Sequence, residues 1–242
     1  MNQTSSLTQK NSVTRALITG ASSGIGLATA KRLAALNVET YGIARNFSKT
    51  KCGDIKKLEL DLGQVDGLAN TLSNTPELNT AFDQIILNAG YGRFGGLEQF
   101  SHQQIRHLID TNLVSNLFLL KHFLPLMKSN GGGDIILLGS ESALQGAKAG
   151  AVYCASKFAL RGLAQSLRAD CSTANIRVML VNPGPVNSDF FDDLNFTPQD
   201  GEEFVIEPDV VADAIVHALE QPRTVVMDEI NIQPIKRAFK KR

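Results

Sequence analysis

Short apolar runs alternate with helical stretches along most of this chain. Residues 13–19 form an apolar run of strand length that enters a glycine-rich turn and then a helical stretch at 27–34, rich in Ala and Leu. Further strand-like runs lie at 38–44, 55–60 and 84–87. A long helical region from about 101 to 128 carries a break near Asp110-Thr111-Asn112, and Gly131-Gly132-Gly133 stops it. The apolar run 134–139 then reads as a buried strand ending at Ser140, and 151–175 as a long helix. A strand at 177–181, a helix at 208–220 opening on Pro208 and a last strand at 224–232 complete the pattern. Strands and helices alternating at this spacing predict a mostly parallel sheet covered on both faces, with right-handed crossovers.

No linker, repeat or low-complexity segment divides residues 13–234, which read as one domain. Residues 1–12 read as a flexible polar tail and the basic residues 235–242 as a solvated one. The longest connection, 185–207, contains the candidate substrate loop 186–206 and sets Phe190, Phe191, Phe196 and Phe204 among acids. Four aromatic rings are costly in water, so this stretch reads as a lid or binding loop.

Composition narrows the function classes. With 24 Lys and Arg against 24 Asp and Glu, no net field favours nucleic acid or an anionic membrane. Cys52, Cys154 and Cys171 form no CxxC pair, which predicts reduced thiols in a cytoplasm and, for Cys154, a packing role. His102, His107, His122 and His217 are scattered, so no metal site is expected. The first 12 residues lack the apolar core of a signal peptide, and no apolar run reaches the ~18 residues of a spanning helix.

Chemistry enters at Tyr153 and Lys157, one helical turn apart on one face of the predicted 151–175 helix. A phenol with a free pKa of ~10 is a poor acid or base near neutrality, and an adjacent ammonium favours its ionised form. Ser140 can share one carbonyl oxygen with such a phenol. The alternative is a packed tyrosine, a solvated lysine and a serine that caps a helix. Gly20, Gly24 and Gly26, with Ser22, Ser23 and Ile25 between them, join the first strand to the first helix. There glycine permits a tight turn and close backbone approach to a pyrophosphate at the helix N-terminus. At the end of the second strand stand Ala44 and Arg45, with no acid to hold a free ribose 2′-hydroxyl. Arg45 offers a planar fork for phosphate, and Ser22 and Ser23 add hydroxyls on the same side. NADP(H) is therefore expected over NAD(H).

The run from Thr19 to Gly26, Asn88-Ala89-Gly90, Asn112, Ser140, Tyr153 with Lys157, and Asn182-Pro183-Gly184-Pro185-Val186 together resemble the short-chain dehydrogenase/reductase family in order and spacing. The resemblance covers about 13–234 and is most similar to small bacterial hydroxy-acid and carbonyl reductases. It implies a Rossmann-type, doubly wound α/β fold: a seven-stranded parallel sheet with helices on both faces and the cofactor across the strand ends. It further implies that Tyr153 is the acid/base and that Lys157 lowers its pKa and holds the nicotinamide ribose. Ser140 would bond the substrate oxygen, and Asn112 would hold a proton-relaying water. Asn88, Ala89 and Gly90 would line the adenine ribose, and Asp61 with Leu62 the adenine. Pro183, Gly184 and Val186 would pack by the nicotinamide, with Ser188 near its carboxamide. Ser142 and Phe190 would join Ser140 and Tyr153 on the substrate side.

Two departures stand out. The 46–54 connection is too short for the helix usual there, which is expected to be missing or a single turn. Glu141 sets a carboxylate beside Ser140; either it points away along the loop or it biases the site against anionic substrates. The expected activity is carbonyl–alcohol interconversion, with hydride exchanged with the nicotinamide and the proton handled by Tyr153. A 3-oxoacyl-carrier-protein reductase is a rival, opposed by the acids Asp189, Asp192, Asp193, Asp200, Glu202 and Glu203. A non-catalytic dinucleotide sensor is another, opposed by the presence of Ser140, Tyr153 and Lys157. A homodimer or homotetramer is expected, paired through helices at about 112–128 and 151–170 by residues such as Leu117, Leu120, Phe158 and Leu167.

Overall fold

Alternate residues along each central strand feed two different cores. The structure, a computed structural model, describes residues 13–51 and 53–242, so the expected 1–12 tail and Cys52 lie outside the described residues. In β1 (Arg15–Thr19), Leu17 faces one core while Ala16 and Ile18 face the other. β4 (Gln84–Leu87) repeats this with Ile85 and Leu87 against Ile86, and β5 (Gly133–Leu138) with Ile135 and Leu137 against Ile136 and Leu138. The first core is closed by α2 (Val65–Asn74), α4 (Ser115–Ser129) and α5 (Ala151–Cys171) through Leu68, Leu72, Leu119, Phe123 and Leu160. The second is closed by α1 (Gly24–Ala35) and α6 (Pro208–Glu220) through Ala30, Leu33, Val211 and Ile215. This two-sided burial is what a parallel sheet with crossover helices requires.

The sheet has seven strands, all pairs parallel, with β2 (Glu39–Ala44) and β3 (Lys56–Glu59) beyond β1, and β6 (Ile176–Pro183) and β8 (Glu229–Ile232) beyond β5. Its order, β3-β2-β1-β4-β5-β6-β8, reverses between β1 and β4. Loops leaving the strand ends part there and open a crevice for a ligand. No helix among the described residues is long and apolar enough to cross a membrane.

Five details differ from the sequence expectation or sharpen it. α2 was not anticipated, because Gly67, Asn70 and Asn74 dilute a helix whose only buried residues are Leu68 and Leu72. Among its described residues the connection after β2 carries no helix, in keeping with its length. The expected break near Asp110 is a single π turn, Asp110–Val114, between α3 (His102–Ile109) and α4. The last sheet strand starts at Glu229 and not near residue 224, and residues 235–242 are exposed without being a free tail. There β9 (Phe239–Lys241) pairs antiparallel with β7 (Phe196–Pro198) inside the 186–206 loop.

Candidate active site

β5 carries Ser140 to the C-terminal edge of the sheet, where a side chain from β6 holds it. Asn182 accepts from the Ser140 N–H at 3.2 Å and donates to Glu229 at 3.0 Å and Asn231 at 2.9 Å. Position 139 must be glycine, since a Cβ there would meet Asn182 Oδ1. Asn182 thus positions Ser140, a task absent from the sequence expectation. Its signal was a lone amide closing the apolar run 178–181, and the structure buries it completely.

Tyr153 and Lys157 lie one turn apart on the buried face of α5, 5% and 6% exposed. Ser140 Oγ accepts from the Ser142 N–H at 3.1 Å and shares a hydrogen bond with the Tyr153 hydroxyl. Lys157 Nζ donates to the Leu138 carbonyl at 2.8 Å and sits 5.8 Å from the Tyr153 ring centre. Burial pushes the Tyr153 phenol up to about 12, against the opposing bond from Ser140; the fields of Cys154 and Glu141 push the same way as burial. Burial also brings Lys157 down to about 8. The expected lowering of the Tyr153 pKa by Lys157 is not seen in the protein alone, where burial raises the phenol and only the bond from Ser140 opposes it. At neutral pH the phenol keeps its proton and the amine remains mostly charged.

The π turn delivers Asn112 to the same place. Its Oδ1 accepts from the Tyr91 N–H at 3.0 Å, and its Nδ2 donates to the Tyr91 carbonyl at 3.0 Å and to Ser156 Oγ at 3.3 Å. The Asn112 carbonyl accepts from Asn116 Nδ2 at 2.9 Å, while Asn116 Oδ1 is buried with no partner among the described residues. That leaves a polar pocket atom beside Asn112 suited to a water.

The glycine turn fits a dinucleotide. Gly20 and Gly24 adopt φ of +67° and +53°, and a Cβ at Gly20 would stand 2.7 Å from Asn88 Nδ2. At Gly26 a Cβ would strike the Gly20 carbonyl, so the third glycine lets α1 seat against the turn. Ser23, at the N-cap of α1, makes no side-chain cap, leaving first-turn N–H groups for an anion. Ser22 stays near this turn through its carbonyl, which accepts from Thr50 Oγ1 at 2.7 Å. Asn88 Nδ2 donates to the Thr19 and Gly20 carbonyls at 3.0 and 3.3 Å, and the Ala89 N–H to Thr19 Oγ1 at 3.0 Å. Gly90 is confined by Asn112, whose Oδ1 would lie 3.1 Å from a Cβ. On the far side Gly184 donates to the Ile232 carbonyl at 2.8 Å, and Pro183 ends β6. Val186 is buried and Ser188 Cβ lies 3.3 Å from where a Gly24 side chain would begin. The two expected halves of the cofactor site thus converge.

Arg45 is exposed at the end of β2, has no carboxylate partner among the described residues, and its field reaches the Tyr91 phenol. Asp61 acts first as a turn former, accepting from the Gly63 N–H at 2.9 Å. Leu62 belongs to the first core, so only its main chain is available to a ligand.

Over Tyr153 lies an aromatic cover. Phe190 stands 5.8 Å from the Tyr153 ring and Phe94 5.2 Å. Phe94 was missed because it sits in a glycine-rich connection without periodicity. A Cβ at Gly92 would clash with Phe190, which explains the glycine beneath it. Ser142 is buried. The Glu141 carboxylate is half-buried and pairs with Arg237 at 2.8 Å, and its field reaches the Tyr153 phenol. Among the described residues no three His, Cys, Asp or Glu come together as metal ligands.

Comparison with known proteins agrees with this geometry. A family model described as short chain dehydrogenase matches residues 14–199. Human 17-beta-hydroxysteroid dehydrogenase type 1 is 32% identical over 199 residues, covering 76% of this chain; the chain thus spans only 60% of that relative's length. An uncharacterized oxidoreductase of Staphylococcus epidermidis is 30% identical over 91% of this chain and 96% of its own. Among solved structures, the alcohol dehydrogenase of Thermococcus sibiricus, complexed with 5-hydroxy-NADP, superimposes with a TM-score of 0.80 at 25% identity, covering 94% of this chain and 99% of its own.

Proposed function

The chain belongs to the short-chain dehydrogenase family, oxidoreductases that bind a nicotinamide dinucleotide, and from that premise we propose an NADP(H)-dependent reductase of carbonyl compounds. The carrying observation is the buried cluster of Ser140, Tyr153 and Lys157 at the strand ends, beside a glycine turn that admits a pyrophosphate. NADP(H) when bound supplies the hydride chemistry. Gly20 to Gly26 hold its phosphates, Arg45 with Ser22 and Ser23 its 2′-phosphate, and Asn88, Ala89 and Gly90 its adenine side. Pro183, Gly184, Val186 and Ser188 hold the nicotinamide side. Ser140 bonds the substrate carbonyl oxygen. Tyr153, a protonated phenol at neutral pH, is in the form that gives that oxygen its proton. Lys157 keeps a positive charge beside the phenol, and Asn112 with Asn116 holds a water through which the proton is replaced.

Support for NADP(H) over NAD(H) comes from Arg45 standing unpaired where an acid would bind a free ribose, and from the NADP derivative in the Thermococcus enzyme. Dinucleotide titration tests this reading together with a screen of aldehydes, diketones, hydroxy acids and sterols. NADPH is expected to bind more tightly than NADH, and Arg45→Ala to remove most of the difference. Tyr153→Phe is expected to cut turnover by ~10²–10⁴-fold with NADPH affinity little changed. Tighter NADH binding would overturn the cofactor assignment, and full activity of Tyr153→Phe the catalytic one.

A further inference from the structure

The C-terminal segment crosses the substrate loop and is bonded to it along its length. β9 lies antiparallel to β7, with Phe196 opposite Lys241 and Pro198 opposite Phe239. Main-chain bonds continue beyond the strands: Lys236 N–H to the Glu203 carbonyl at 2.9 Å, Gln199 N–H to Ala238 at 3.0 Å, Arg242 N–H to Asn195 at 3.1 Å. Acids of the loop meet cations of the segment, Asp200 with Lys240 at 2.7 Å, Asp192 with Arg242 at 3.2 Å and Glu203 with Lys236 at 3.4 Å. A relay of rings runs inward from Phe239 to Phe196 at 5.6 Å, to Phe94 at 5.1 Å and to Tyr153 at 5.2 Å. At its inner end the segment reaches the residue next to Ser140, since Arg237 Nη2 donates to Glu141 Oε1 at 2.8 Å.

We propose that residues 235–242 are a strap that completes the substrate site. The strap holds the 186–206 loop over Tyr153 and, through Arg237, fixes and neutralises the Glu141 carboxylate, so that the site takes an uncharged carbonyl compound. The substrate class rests on the reductase reading; the strap itself rests on the contacts above. An unpaired carboxylate half-buried beside Ser140 would be costly and would repel electron density on the substrate oxygen. Paired with Arg237, its charge is met within the protein. The cation that an anionic substrate would need is engaged, and the surface offered beside Tyr153 is that of Phe94 and Phe190. The strap's outer ion pairs are exposed, and such pairs are individually weak. They tune a closure held chiefly by main-chain pairing and rings, so the loop can be released for substrate to enter.

Hydrogen–deuterium exchange on the full-length protein without cofactor, joined to steady-state kinetics, tests the strap. The charge reversal K240E/R242E touches only exposed side chains. It is expected to speed exchange of loop amides such as Asn187 and Leu194 by about two- to tenfold, leaving β4, β5 and β6 unchanged. It should raise KM for a neutral carbonyl with kcat nearly constant, because a loosened loop must be ordered on binding. Arg237→Met should lower kcat/KM for the same substrate, and adding Glu141→Gln should restore it. Unchanged loop exchange and unchanged KM in both K240E/R242E and Arg237→Met would overturn the strap. A double variant as impaired as Arg237→Met alone would overturn the neutralising task of Arg237. Loop exchange that responds in a protein turning over no carbonyl would leave the strap standing and overturn the reductase reading.

Discussion

Of two ionisable groups buried one helical turn apart, Tyr153 is held as the neutral phenol that burial favours, whereas Lys157 stays mostly charged at neutral pH against its burial. Lys157 is the more exacting case, because an ammonium must be kept among apolar neighbours by one carbonyl, that of Leu138 at 2.8 Å. Its pKa falls from the ordinary 10.5 to about 8, so between those values the unfolded chain binds a proton that the folded chain does not. Stability contributed by this group therefore rises with pH across that window, and the full penalty of the buried charge is present below it. Lys157→Met should abolish that slope: the urea midpoint of the wild type is expected to gain on that of the variant as pH climbs from about 8 towards 10.5. Parallel pH profiles would show that Lys157 is charged to the same extent in both states. The residue retained at a cost in stability is the one assigned the electrostatic task, a trade common at active sites.

At the scale of elements, the strand ends are aligned from the opposite edge of the sheet. Arg177 on β6, 4% exposed, grips Asp134 on β5 through two bonds of 2.7 and 3.1 Å. It also donates to the carbonyls of Leu219 and Gln221 at 2.8 Å each, tying the end of α6 to the sheet. Arg223 joins Asp134 from the following turn. Arg177→Met leaves a buried carboxylate and several carbonyls without their partner, and should destabilise the fold by about 3–5 kcal/mol in urea unfolding. A loss under 1 kcal/mol would mean that Arg223 alone satisfies Asp134. The central strands were legible in the sequence because each is buried on both faces and reads as a continuous apolar run. α2 was not, since its glycine and asparagines weaken the local signal and two leucines suffice for its packing. β9 was illegible for a different reason. Phe239-Lys240-Lys241 has the look of a solvated basic end, and its partner β7 is more than forty residues away, so only tertiary pairing makes it a strand. The site divides the same way. Ser140, Tyr153, Lys157 and the glycines follow from local spacing, whereas Asn182, Phe94 and Arg237 act across the fold.

At the scale of the whole molecule, α4 and α5 leave apolar side chains on the surface. Of the apolar residues expected at an interface, Leu120 is buried and Leu167 packs against the first core, but Leu117 on α4 and Phe158 on α5 are 40% and 43% exposed. Both helices cover the same face of the sheet, so a second copy turned about a two-fold axis can set four helices together and bury these side chains twice over. The edge strand β8 offers a separate surface through its main chain, with Ile230 and Ile232 packed against the second core, and unpaired edges in isolation invite association. We therefore expect a homodimer built on α4 and α5, extended to a tetramer where the β8 edge also pairs. Sedimentation at micromolar concentration is the measurement. Phe158→Asp puts a charge in the expected helical interface, and should shift a dimer to monomer or a tetramer to dimer. A wild-type monomer, or a Phe158→Asp variant that sediments as the wild type does, would place the interface elsewhere or remove it. The outcome also bears on catalysis, because α5 carries Tyr153 and Lys157 on its buried side and Phe158 beside them. A partner packed on its outer side would hold the helix against the sheet, and a monomeric variant that keeps its fold should then lose turnover while retaining NADPH affinity at the glycine turn.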